Sequence, residues 1–195
     1  MKVFIANFGI ENYEWLTCLS RGTIATMNEI TAHALWEACD REGFIQFQMS
    51  RKTAAGATPT RSVASRWFNL MSIIAQSTGD IWIHREKNQL WWTTSRPDSP
   101  TFEPTEVPIG DKTKVIVCHK PCDAWSNSNR KGNRLDWNGL HPKARDFLFT
   151  EGTLQQLGDD NADYALALIN GEDLSPWHSR TKWKTRMKRR EENLA

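Results

Sequence analysis

Trp82, Trp91 and Trp92 fall within the eleven residues of WIHREKNQLWW, and Trp67 precedes them on a stretch of helical period. An indole face stacks on other flat rings, and with a nucleobase such a contact contributes about 1 to 3 kcal/mol per base. Polar side chains beside the stack could read the edge of the ring. Ser65, Asn69 and Asp80 are the candidates. An amide both donates and accepts, and a carboxylate accepts from an exocyclic amine. The expected chemistry is therefore non-covalent: four indoles as walls and three short polar groups as readers.

Charge segregation points the same way. The net charge is only +2, yet no acidic residue falls between Gly43 and Gly79, where Arg51, Lys52, Arg61 and Arg66 stand. A second basic run holds Arg130, Lys131 and Arg134, and the chain ends in a third, from Arg180 to Arg190. Folded onto one side, these segments would contact phosphates through counterion release, without regard to sequence. Trp125 lies in the Asn- and Arg-rich stretch DAWSNSNRKGNRLDWNG and could wedge into a duplex where a base has left it.

Several elements must position these groups. Residues 2 to 7 read as a buried strand. Asn28 suits the N-cap of a helix over 29 to 42 that Gly43 would stop, and the alternation of Ile45, Phe47 and Met49 predicts a strand after it. RKTAAGATPTR reads as a cationic loop, and a helix follows from Val63. Next comes a hairpin turning at Lys87-Asn88, with Ile81 and Ile83 on one face and Trp82 and His84 on the other. On its return strand Trp92 opposes Trp91, so one core cannot bury all three indoles. At least one is expected to line a pocket unless both faces of the sheet are covered. The four prolines between 96 and 110 predict a connection without a strand. A strand over 114 to 118 and helices over 142 to 151, over 161 to 169 and beyond Ser179 complete the reading. The fold class expected is α+β, a small curled mixed sheet or partial barrel within one domain over 1 to 178, followed by a basic helical tail over 179 to 195.

The run from Ala64 to Ser95 resembles the middle of the PUA-like superfamily, particularly its EVE and YTH branches, through Trp67, Asn69, Gly79, Asp80 and Trp91 or Trp92. Those families hold one modified base of a nucleic acid in an aromatic cage. The resemblance implies a reader of a modified base, methylated or hydroxymethylated; the further expectation is duplex DNA rather than RNA, with the chain as the recognition component of a restriction or defence system that has a separate effector nuclease.

Two other classes compete. A metal-dependent nuclease could draw on His119 or His141 as general base and Asp136 as metal ligand, but the chain lacks a His-Asn-His arrangement, an Asp…Glu-x-Lys pattern and a glycine-rich phosphate loop. A protein-interaction module could use exposed tryptophans as anchors. CHKPC lacks the second ligand couple that zinc requires, so no metal and no cofactor are expected. No run approaches the length of a membrane span and the opening does not resemble a signal peptide, which predicts a cytoplasmic protein without a membrane partner.

Overall fold

The computed structural model describes residues 1–53, 56–108 and 113–178. In chain order the elements are β1 (Val3–Ala6), a 3-10 turn (Ile10–Asn12), α1 (Trp15–Arg21), β2 (Thr23–Glu29), α2 (Ile30–Glu37), α3 (Arg41–Met49) and α4 (Arg61–Ala75). The hairpin β3 (Ile81–Glu86) and β4 (Gln89–Thr94) follows, then β5 (Thr101–Glu106), β6 (Lys114–Pro121) and a second 3-10 turn (Trp137–Gly139). The last described elements are α5 (Pro142–Phe147), β7 (Leu154–Gln156), α6 (Asp159–Asn170) and α7 (Ser175–His178). The chain is thus α+β. Its named strands form two sheets, ordered β4-β3-β1-β7 and β2-β6-β5, and not one curled sheet; they do not close into a barrel.

The first sheet separates two cores, because side chains alternate across a strand. Val3, Ile5, Ile81, Ile83 and Leu90 face α5 and α6, together with Leu135 and Trp137. Phe4, Ala6 and Trp82 face the other way, toward Ile24, Val117 and Cys118 of the second sheet and Met71 and Ile74 of α4. Both faces of the hairpin's sheet are therefore covered. Parallel pairing of β1 with β3 sets Phe4 beside Trp82, and the two rings stack with centroids 4.6 Å apart. The expected alternation along the hairpin and its turn at Lys87-Asn88 hold as read.

Elsewhere local chemistry overrode the expected pattern. Asn28 belongs to β2, and the helix cap is Glu29, whose carboxylate accepts from the backbone N–H groups of Thr31 and Ala32. The expected helix over 29 to 42 breaks at Cys39, in the left-handed region at φ 54°. Asp40 then caps α3 by accepting from Gly43 N at 2.8 Å. Gly43 is thus inside a helix rather than its stop, and a Cβ there would collide with the capping carboxylate. Residues 44 to 49, expected as a strand, continue α3; Phe44 and Ile45 are buried, and Phe44 meets Phe68 of α4 edge-on at 5.2 Å. An N-cap and one adjacent apolar pair outweigh six residues of chance alternation. Pro104 likewise sits in a strand after all, β5, at the edge of its sheet, where a missing N–H costs no ladder bond.

Among the described residues no helix is long and apolar enough to cross a membrane. The expected basic tail helix after Ser179 lies outside the described residues.

Candidate functional site

A concavity of about 710 Å³ opens between the chain leaving β1 and the tip of the β3–β4 hairpin. Tyr13, Trp15, Leu16, Leu19 and Trp91 form its apolar walls, and Glu11, Asn12, Glu86, Lys87, Asn88 and Gln89 its rim. The first wall depends on a tight turn at Gly9, at φ 82°, where a Cβ would collide with the Tyr13 ring folded back over it. Glu11 and Asn12 follow at φ 53° and 56°, and Lys87 on the opposite rim is at φ 52°. Three of the four non-glycine residues with positive φ among the described residues therefore line this cleft. Such backbone costs about 1 to 3 kcal/mol per residue and persists where surrounding structure over-determines it, commonly at binding sites. Asn12 is held by accepting from Phe8 N at 2.9 Å.

Behind the mouth the aromatic groups are stacked in depth. Trp15 is buried, meets Trp91 edge-on at 5.6 Å, and leans on the His84 imidazole at 4.2 Å. His84 is fully buried, and burial lowers its pKa to about 4 although its bond to Ala6 O opposes the shift, so the ring is neutral at pH 7. Nδ1–H donates to Ala6 O at 3.0 Å, which leaves Nε2 as the acceptor. That nitrogen has no hydrogen-bond partner among the described residues and lies 3.9 Å from Glu86 Oε2 on the cleft rim. Burial, followed by the neighbouring Glu14 charge, raises the Tyr13 phenol to about 12, and its hydroxyl donates to Met27 Sδ at 2.8 Å. The Trp91 Nε1–H is buried and, among the described residues, unpaired. A donor withdrawn from water without a partner costs about 1 to 3 kcal/mol, which an acceptor on a bound molecule would recover.

The sequence-predicted cage does not assemble in one place. Trp82 is 0% exposed, donates its N–H to Ser77 Oγ at 2.9 Å and is a core residue. Trp92 packs on the opposite core, donates to Ser128 O at 2.8 Å, and has the Arg130 guanidinium over its ring at 5.4 Å. Trp67, half-buried on α4, lines a separate pocket of about 280 Å³ with Gln48, Arg51, Lys52, Thr53 and Pro59. Of the four predicted wall residues, only Trp91 reaches the large cleft. Trp125 is no wedge: it is buried, and its N–H donates to Thr23 O at 3.0 Å.

Nor do the predicted readers converge. Asp80 Oδ1 accepts from Lys2 N at 2.7 Å and Oδ2 lies 3.1 Å from Ser77 Oγ, which ties the start of β3 to β1. Asn69 and Ser65 are drawn together on α4 by Arg41, which donates to them at 3.0 and 2.6 Å. The predicted phosphate-binding cations, Arg51, Lys52, Arg61, Arg66, Arg130, Lys131 and Arg134, are all exposed. Arg61 is engaged by Glu42 at 2.7 Å.

For the nuclease alternative, His119 is buried between Thr23 Oγ1 at 3.2 Å and Glu14 Oε1 at 3.6 Å. His141 accepts from Lys143 N at the start of α5 and stacks on His178 at 4.4 Å. Among the described residues no group of three His, Cys, Asp or Glu side chains could hold a metal ion.

Sequence reasoning missed Tyr13, Trp15 and the rim from Glu11 to Asn12. The signal available was FGIENYEW, a glycine and two polar residues after a predicted strand, then two aromatics two positions apart. Comparison of the chain with family models, with curated proteins and with solved structures finds no match in any of the three.

Proposed function

We propose that the protein is a nucleic-acid reader that takes one extruded base of duplex DNA into the cleft walled by Tyr13, Trp15 and Trp91. The observation that carries this reading is an aromatic cleft lined by Trp91, whose buried N–H is unpaired among the described residues, with two carboxylates, Glu11 and Glu86, at the rim. A nucleobase matches all three features. Its π-face meets the indoles, a ring acceptor meets the orphan donor, and an exocyclic amine donates to a carboxylate. That last requirement excludes thymine and leaves cytosine, adenine and guanine, and the modified bases to test among them are 5-methylcytosine, 5-hydroxymethylcytosine and N6-methyladenine. Extrusion costs a few kcal/mol, and stacking returns about 1 to 3 kcal/mol. The balance comes from phosphate contacts at exposed cations, beginning with Lys87 on the rim. The PUA-like resemblance supports the same reading, with DNA favoured over RNA and a separate effector nuclease acting on what is recognised.

The test is fluorescence anisotropy on duplexes identical except for one base, unmodified or carrying one of the three modifications, at two salt concentrations. A preference of about tenfold or more, equal to about 1.4 kcal/mol, is expected for one modification, and Trp91→Ala should abolish it. Equal, salt-sensitive binding to all duplexes would overturn base reading. The exposed Ile10 and Leu16 beside the cleft, at 54% and 73%, favour a protein partner as the second reading. That reading predicts no DNA binding at either salt concentration.

A further inference from the structure

The Trp67 pocket differs in kind from the cleft. Among the described residues its polar lining consists of Arg51, Lys52, Gln48 and Thr53, without a carboxylate. Arg51 is pre-positioned: Glu29 holds its Nη1 at 3.4 Å, and its guanidinium lies over the Phe47 ring at 5.3 Å. Glu29 offsets part of that charge, but its carboxylate also serves the start of α2 through Thr31 N and Ala32 N. Lys52 is exposed, and among the described residues it makes no hydrogen bond or ion pair. The side-chain amide of Gln48 and the Trp67 N–H are likewise uncommitted among the described residues. Thr53 is fixed from behind: its N–H donates to Ala57 O at 2.8 Å, and its Oγ1 accepts from Ala57 N at 3.2 Å. Pro59 closes the apolar side.

Two cations, an amide, a hydroxyl and an indole N–H make a set rich in donors, arranged around one flat aromatic wall. The ligand such a set fits is an anion bonded to a flat or apolar body. We infer that this pocket is a second site, for a nucleoside phosphate, with the phosphate at Lys52 and Arg51 and the base or sugar against Trp67. At about 280 Å³ it has room for a phosphate and part of a nucleoside but not for a longer strand, which would continue outside it. The inference goes beyond the base-reading proposal and does not rest on it, because no lining residue is shared with the cleft.

Calorimetric titration of the full chain with deoxyadenosine 5′-monophosphate, deoxyadenosine and inorganic phosphate tests the site. The nucleotide should bind about tenfold or more tighter than either half alone. Lys52→Gln and Trp67→Leu should each weaken it about five- to tenfold, the first by loss of charge and the second by loss of the wall. Lys52 is exposed, so Lys52→Gln tests the site even if Trp67→Leu fails to fold. Trp91→Ala removes any binding of the probe's adenine at the proposed base cleft, so nucleotide binding that survives in Trp91→Ala and weakens on adding Lys52→Gln belongs to the Trp67 pocket. Equal binding of all three probes, or wild-type affinity in Lys52→Gln, would overturn the inference. Short single-stranded deoxyoligonucleotides with and without a 5′-phosphate separate the sources. A requirement for the terminal phosphate identifies a free nucleotide or strand end, whereas equal binding identifies a phosphodiester within a strand.

Discussion

Each of the two concavities has tryptophan in its wall, and their linings otherwise have little in common. In the cleft, Trp91 is backed by Trp15 and a buried neutral imidazole, with two carboxylates and one lysine at the rim. In the smaller pocket Trp67 is flanked by Arg51 and Lys52, with no carboxylate in the lining among the described residues. Under the two proposals, one surface takes the edge of a base and the other a phosphate. The difference teaches that indole position alone does not define a binding role. Trp82 makes the point most sharply, because it shares the hairpin with Trp91 yet is enclosed in the core.

The largest effect should separate core from pocket. Trp82→Ala removes a stacked partner of Phe4 and leaves Ser77 without its donor, at a cost of about 3 to 5 kcal/mol. Trp67→Ala, at a half-buried position open to a pocket, should cost markedly less. Urea denaturation of both variants makes the comparison, and equal losses would place Trp67 in the core as well.

The next effect belongs to the cleft alone. His84 has a folded pKa of about 4 against an ordinary 6.5, so between those values the unfolded chain binds the extra proton. The contribution of neutral His84 is therefore complete above about pH 6.5 and is lost as pH falls toward 4. The limiting slope is about 1.4 kcal/mol per pH unit, about 3 kcal/mol in all. Burial lowers His33 and His119 in the same direction, so the whole protein should lose more than this. His84→Gln should flatten the profile of urea midpoints between pH 7 and 4.5, and an unchanged profile would show that His84 does not stay neutral.

How much of this was legible follows from where each signal resides. The hairpin and α4 were readable because periods of 2 and 3.6 run unbroken over six or more residues. The cations of the Trp67 pocket were readable too, since Arg51 and Lys52 open a loop rich in small residues and free of acids. The pocket itself was not, because it needs α3 as one wall and residues 44 to 49 read as a strand. The cleft was the least legible. Trp15 begins a helix of seven residues, too short to show a period, and the wall before it depends on left-handed backbone at Glu11 and Asn12. The enclosure of Trp82 depends on β1 pairing with β3 across nearly eighty residues and on the second sheet covering that face. Neither has a local signature.

A third effect tests the carboxylate rim directly. Glu86→Gln keeps the shape of the rim but replaces a charged acceptor, so it should weaken binding of the preferred modified duplex about five- to tenfold. The nucleotide titration at the Trp67 pocket should not change. A gain in affinity instead would mean that Glu86 acts on DNA only by repelling phosphate.

Lys131 should give the smallest effect, and it is informative for that reason. It lies in the Asn- and Arg-rich loop, which is anchored rather than free: Trp92 and Ser126 exchange backbone bonds, and Trp125, Leu135 and Trp137 are buried. Its ammonium is exposed on a surface that lines neither concavity. If it contacts one phosphate, Lys131→Ala should weaken modified and unmodified duplexes alike, about two- to threefold near physiological salt. The slope of log affinity against log salt should then fall by about 0.9. The ratio between duplexes should not move, since a phosphate contact positions the chain without reading a base. A change in that ratio would place the Asn- and Arg-rich loop in base recognition and extend the reading surface beyond the cleft.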